Sequence, residues 1–287
     1  MATGTNIKTF FEGAWHDADV PIMRAADHGS WLGTTVFDGA RYVDGLAPDL
    51  MAHCERVVNS ARALMLHPAQ TPQEIFDIVW EGVKRYPEDA AVYIRPMFWG
   101  IDGGALGILP AESPAGFCVS LEEIPMADPN KTVRLTTTQF RRPVLADNVC
   151  NAKAGCLYPN NARMLAEAMS KGYDNALVAD AMGNVAESAS ANVFMVRDGV
   201  IYTPIPNGTF LPGITRKRHM ELLRADGVEV VETVLTFDDF RTADEVFLTG
   251  NLNKVTPVSE FDGTHYQHGP VAKRAYDLYW EWARATA

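Results

Sequence analysis

Asn151-Ala-Lys-Ala-Gly-Cys-Leu-Tyr158 sets a single lysine among small residues, bounded by Gly155, with a tyrosine five positions on. Lysine is expelled from protein cores unless it is paired or functional. Small neighbours leave room beside Lys153 for a bulky partner, and partial desolvation shifts a lysine toward the neutral form that attacks a carbonyl carbon. Taken alone, the stretch also fits an ordinary solvated lysine, so its companions along the chain decide. Glu187 stands in Val185-Ala-Glu-Ser-Ala-Ser-Ala-Asn192, an acid at the end of a hairpin strand where an apolar or β-branched residue is the usual occupant. Leu211-Pro-Gly-Ile-Thr-Arg216 brings a glycine turn and a threonine hydroxyl to the start of a helix, where free amides favour an anion. An exposed strand acid and a plain helix cap are the bland alternatives for these two.

The chain has 287 residues, enough for one large domain or two ordinary ones. Apolar residues make up 47% and charged residues 21%, so a sizeable core can be buried and global disorder is excluded. Its 25 Lys and Arg against 36 Asp and Glu give a net charge of -11, the wrong sign for neutralising a phosphate backbone, so no nucleic-acid partner is expected. An acidic exterior is still compatible with a local cationic pocket. The first ten residues contain no continuous apolar run and no window reaches the roughly 18 residues of a membrane span, which predicts a cytoplasmic protein without membrane attachment. Four cysteines, none in a C-x-x-C pair, read as incidental thiols, and the seven histidines never cluster at ligand spacing, so no metal is expected. The chain has no G-x-G-x-x-G after a strand, no G-x-x-x-x-G-K-[ST], no H-E-x-x-H and no G-x-S-x-G, which removes the usual support for nucleotide, zinc and serine-hydrolase chemistry.

Residues 8–16 read as a hairpin turning at Glu12-Gly13, followed by a Gly-rich stretch over 27–43. Leu50, Cys54, Val57, Val58, Ala61 and Leu64 repeat at helical spacing behind an Asp49 cap, with His53 and Arg56 off that stripe. Thr71-Pro-Gln-Glu74 is a capping box that opens a second helix, and 90–99 and 116–121 are strands. The two prolines of 123–131 mark a linker. Beyond it come a strand over 132–137, a helix from about 160 to 171, a hairpin over 175–188 turning at Met182-Gly183, and strands at 192–196 and 200–203. Helices after Gly213 and over 270–285 complete the chain. Strands and helices without regular alternation predict an α+β fold, with a small domain over 1–122 and a larger one over 132–287.

The stretches around Lys153, Glu187 and Leu211 to Arg216, with Leu248-Thr-Gly-Asn-Leu-Asn-Lys-Val-Thr-Pro-Val258, together resemble the fold-type IV pyridoxal-phosphate enzymes, nearest to the branched-chain amino-acid aminotransferases. Gly33-Thr-Thr-Val-Phe-Asp-Gly-Ala-Arg41, His53-Cys-Glu-Arg56, Tyr93-Ile-Arg-Pro96 and Gly269-Pro-Val-Ala-Lys-Arg274 extend the resemblance over essentially the whole chain. It implies the two-domain fold of the D-amino-acid aminotransferase type, with a small N-terminal α/β domain and a larger mixed-sheet domain. It also implies a homodimer, and pyridoxal 5′-phosphate as cofactor, joined covalently to Lys153 as the catalytic lysine. Glu187 would bond the ring nitrogen and Tyr158 the phenolic oxygen; Arg56, Asn251 and the amides of Ile214 and Thr215 would hold the phosphate. Tyr93 and the Asn251-Leu252 turn would meet the substrate α-carboxylate, Arg95 the side-chain carboxylate of glutamate, and Arg41 would shape or charge the same pocket. The implied reaction moves an amino group from a branched-chain L-amino acid to 2-oxoglutarate. D-amino-acid transamination, R-selective amine transamination and aminodeoxychorismate lysis are the alternatives on the same fold. Two departures bear on the amino donor: Leu32 stands where a pocket tyrosine is usual, and Gly250-Asn-Leu-Asn-Lys254 replaces the common Gly-Thr-Ala-Ala-Glu.

Overall fold

The computed structural model describes residues 4–267 and 269–286. The chain divides into two compact units, the first running to residue 126 with 151–156 added, the second comprising 127–150 and 157 onward. The outermost residues of the domains expected from sequence, 1–3 and 287, lie outside the described residues.

In the first unit β1 (Thr5–Phe11) and β2 (Ala14–His16) form the expected hairpin. Glu12 and Gly13 both have positive φ, the two-residue geometry that matches the twist of paired strands. The Gly-rich stretch resolves into α1 (His28–Leu32), stopped by Gly33 at φ 73°, then β3 (Thr35–Phe37) and β4 (Ala40–Tyr42). Next come α2 (Leu50–Ala63), α3 (Pro72–Val83), β5 (Val92–Trp99) and β6 (Gly116–Glu123). The sheet runs β2-β1-β6-β5-β3, with β4 also on β5, and every pair is antiparallel. Cys54, Val57, Val58 and Ala61 of α2 are buried along with Val92, Ile94 and Phe98 of β5. Thr71 and Glu74 make both bonds of the capping box on α3. Asp49 departs from expectation: it lies in the left-handed region at φ 57° and its side chain caps nothing. A capping side chain needs extended backbone to reach the N2 or N3 amide, and this conformation denies it.

The second unit contains β7 (Val133–Thr137), α4 (Tyr158–Ser170), β8 (Asn175–Ala179), β9 (Val185–Ser188), β10 (Asn192–Arg197), β11 (Val200–Pro204), α5 (Ile214–Ala225) and β12 (Val230–Thr233). α6 (Phe237–Arg241), β13 (Glu245–Gly250), β14 (Lys254–Phe261), β15 (Thr264–His265) and α7 (Pro270–Ala285) follow. Its sheet runs β12-β11-β10-β13-β14-β7-β8-β9, with parallel pairs at β12/β11, β14/β7 and β7/β8. Both faces are covered. Val193, Met195, Val246 and Leu248 pack on one side with Phe240 and Phe261; Phe194, Val196 and Phe247 pack on the other with Leu223 of α5 and Ala275 of α7. Strands buried on both faces read as continuous apolar runs, which is why 193–196 and 246–248 show no alternation. α4 starts at Tyr158, two residues earlier than expected, with Pro159 in its first turn.

Residues 151–156 belong by contact with the first unit, although the domain expected over 132–287 contains them. The reason is backbone pairing: Phe37 N–H donates to the Lys153 carbonyl at 3.1 Å, and Ala154 bridges Val36. Among the described residues no helix is long and apolar enough to cross a membrane.

Candidate active site

Lys153 is half-buried at the end of β3. Its amide donates to Ser60 Oγ of α2 at 3.0 Å, and its Nζ lies 4.8 Å from the centre of the Phe37 ring. A backbone bond on each side of the residue makes the lysine's base rigid while the side chain stays long and adjustable.

Arg56 also belongs to the first unit. Its Nε donates to Asp38 Oδ2 at 2.6 Å and its second terminal nitrogen to Oδ1 at 2.8 Å, a bidentate pair. Asp38 is fully buried and also accepts from His53 Nδ1 and Gly39 N–H. Burial pushes the Asp38 carboxyl upward, but Arg56 and then His53 outweigh it and hold it well below the usual carboxylate range. His53 lies off the apolar stripe as expected, yet it is buried, because Asp38 gives it a partner there.

Arg41 is fully buried on β4, opposite Tyr93 of β5. Its donors reach the Ile124 carbonyl and the Met126 thioether; one terminal nitrogen has no hydrogen-bond partner, and no carboxylate pairs with it among the described residues. Burial pulls the guanidinium down to about 10, opposed by Tyr93. Tyr93 is buried too, its hydroxyl pressed so close to Gly39 that a Cβ there would sit 2.2 Å away. Arg95 stacks over the Tyr93 ring at 5.1 Å, so the two share a face, and it pairs with the buried Glu122.

In the second unit Glu187 lies near the end of β9, its side chain 12% exposed. Arg142 pairs with it at 3.0 Å, and Arg142 also donates to Asn161 Oδ1 and the Ser188 carbonyl. Asn192 of β10 donates to Glu187 Oε2 at 3.2 Å and to the Leu211 carbonyl at 3.4 Å, which ties the acid to the turn before α5. Gly213 at that turn accommodates Asn192: a Cβ would lie 2.1 Å from its Oδ1. No side chain caps α5, so its first amides, those of Ile214 and Thr215, make up an N-terminus suited to an anion. Thr249 pairs with Asn192 across β10 and β13, and its buried hydroxyl has no partner among the described residues. Two residues on, Asn251 accepts from Lys254 through Oδ1 while its buried Nδ2 is also without a partner among the described residues. Leu252 is half-buried in the same turn, and Tyr158 is exposed at the start of α4.

The family described as "Amino-transferase class IV" matches residues 35–261. The chain belongs to the class IV aminotransferases. It is therefore a pyridoxal-phosphate-dependent aminotransferase of fold type IV, as its motifs imply. Among solved structures it is similar to an aminotransferase from Brucella abortus bound to that cofactor, at 52% identity and TM-score 0.95, over 97% of this chain and 99% of the other. It is also similar to a branched-chain aminotransferase from Thermoproteus uzoniensis with norvaline, at 28% identity and TM-score 0.86, over 96% and 93%. A putative branched-chain-amino-acid aminotransferase of Methanocaldococcus jannaschii is 33% identical over 93% of each chain.

The residues of this aminotransferase fit the cofactor. Phosphate needs concentrated donors, and the second unit supplies an uncapped helix start, an unpartnered hydroxyl and an unpartnered amide. Sequence reading did not single out Asp38, Arg142 or Thr249. Asp38 and Thr249 fall inside motif stretches that give them no role of their own, and Arg142 falls in none.

Proposed function

We propose that this aminotransferase transfers the amino group of a branched-chain L-amino acid to 2-oxoglutarate, giving the 2-oxo acid and L-glutamate. The names of its relatives support the donor class, and one observation carries the rest: Arg41, a buried guanidinium next to Tyr93 with a donor to spare and, among the described residues, no carboxylate paired with it. A buried charge left short of partners is costly, and a substrate carboxylate would relieve that cost. Arg95 has a protein carboxylate, Glu122, and would exchange it for the side-chain carboxylate of glutamate or 2-oxoglutarate when one binds.

In this reading pyridoxal 5′-phosphate, when bound, supplies the electron sink that stabilises negative charge at the substrate Cα. Lys153 Nζ would hold the cofactor covalently and then carry the proton taken from Cα. Glu187 would hold the ring nitrogen in its protonated form, with Arg142 and Asn192 fixing the carboxylate's position. Tyr158 would donate to the phenolic oxygen. Arg56, Ile214, Thr215 and Asn251 would bind the phosphate; Tyr93 and Leu252, through its amide, the α-carboxylate. The setting we propose is a cytoplasmic homodimer.

A donor screen with 2-oxoglutarate as acceptor tests the assignment. L-leucine, L-isoleucine and L-valine should exceed D-alanine and a carboxylate-free R-amine in kcat/KM by at least about 1.4 kcal/mol, a factor of ten. Comparable turnover of the R-amine would overturn the role given to Arg41.

A further inference from the structure

We infer that Lys254 is a positioning residue for the cofactor phosphate: it locks the Asn251 side chain so that the amide presents donors, not an acceptor, to a phosphate oxygen. The inference rests on the proposed role of Asn251 in holding phosphate and deepens it.

The β13–β14 hairpin closes with Gly250 opposite Lys254 and Asn251-Leu252-Asn253 between them. Lys254, the first paired residue after the loop, lies in the left-handed region at φ 65°, where glycine is the easy occupant and a long side chain is unfavourable. The side chain is also fully buried, a second cost. A turn that tolerates both gains from the ammonium itself.

The ammonium lies 5.0 Å from the centre of the Tyr279 ring and donates to Asn251 Oδ1. An ammonium has three donors and no acceptor, so the end of the amide facing it has to be oxygen. The amide orientation is thereby decided by chemistry, and the NH2 end is left over. That Nδ2 is buried and has no partner among the described residues, as is the Thr249 hydroxyl two residues earlier. Two buried unpartnered groups at one strand end call for an acceptor from outside the chain. His219 lies nearby and is fully buried; burial, with the charge on Lys254 adding, lowers its pKa to about 3, so this imidazole stays neutral beside the lysine.

The test compares affinity for pyridoxal 5′-phosphate with affinity for pyridoxal, which lacks the phosphate, in the full-length chain freed of cofactor. Lys254→Met keeps the length and removes the donor. It should weaken binding of the phosphorylated form roughly tenfold, about 1.4 kcal/mol, while affinity for pyridoxal stays within about twofold. In an Asn251→Ala background the same change should cost less than about twofold, because the lysine acts through Asn251. Equal losses for both ligands, or an undiminished loss in the Asn251→Ala background, would overturn the inference. If Lys254→Met does not fold, Asn251→Asp keeps the contact with Lys254 but turns an acceptor toward the phosphate. It should weaken only the phosphorylated ligand, and unchanged affinity would overturn the inference. A wild-type chain that does not prefer the phosphorylated ligand would refute the underlying phosphate assignment, a failure visible without any variant.

Discussion

Glu187 illustrates how a residue's neighbours change the meaning of a substitution. From sequence, Glu187→Gln is close to isosteric and touches only chemistry. The structure adds Arg142, buried and paired with that carboxylate at 3.0 Å. Removing the charge leaves a buried guanidinium without its counter-ion, which typically costs about 3 to 5 kcal/mol. Glu187→Gln should therefore lower unfolding free energy in denaturant titrations as well as turnover. Adding Arg142→Met should recover most of the stability and none of the turnover; a double variant as unstable as the single one would show that the pair is not what holds β9 there. Lys153 and Glu187 stand out as candidates by residue type in their local settings, and Arg56 only through the motif resemblance. Asp38 and Arg142 do not stand out in either way, because their partners are supplied by fold contacts that span 18 and 45 residues of chain.

Helix ends divide the elements in the same way. Thr71 caps α3 as its four-residue signature says, since every atom of a capping box lies within one turn. α7 has Gly269 at its cap and no side-chain bond from it. Glu245 of β13 takes that role from a distance, accepting Val271 N–H at 3.2 Å and Ala272 N–H at 2.6 Å while buried. It also places a negative charge at the positive end of the helix. Glu245→Ala should destabilise the fold by roughly 2 to 3 kcal/mol, the usual range for losing a charged acceptor with buried donors behind it. Hydrogen exchange should report the loss first in α7; uniform weakening of all elements would instead indicate a general packing defect. No local pattern announces this cap, and Asp49 shows the converse, a capping residue type in a conformation that cannot cap.

At the scale of the whole molecule, buried ionisable groups set how stability responds to acid. His219 is fully buried and its pKa falls from 6.5 to about 3 through desolvation, reinforced by the charge on Lys254. Its folded value lies below its unfolded value, so unfolding takes up a proton anywhere between the two. Stability from keeping it neutral is complete above about pH 6.5 and drains away toward pH 3, at up to about 1.4 kcal/mol per pH unit. Asp38 has its folded pKa depressed as well, so its contribution is intact above about pH 4 and is lost only on further acidification. Denaturant titrations from pH 7.5 to 4.5 should show this slope in the wild type and a flatter one in His219→Leu; identical slopes would assign the acid sensitivity elsewhere. The α+β class, the element order and the ordered motifs were determined by sequence, because hydrophobic period, turn chemistry and capping act over a few residues. Tertiary structure alone decided that 151–156 pairs with β3, that Asp38 and Arg142 brace Arg56 and Glu187, and that Lys254 and His219 are buried together around the turn at Asn251. Those outcomes depend on which distant segments share one low-dielectric interior, and no window of neighbouring residues carries that information.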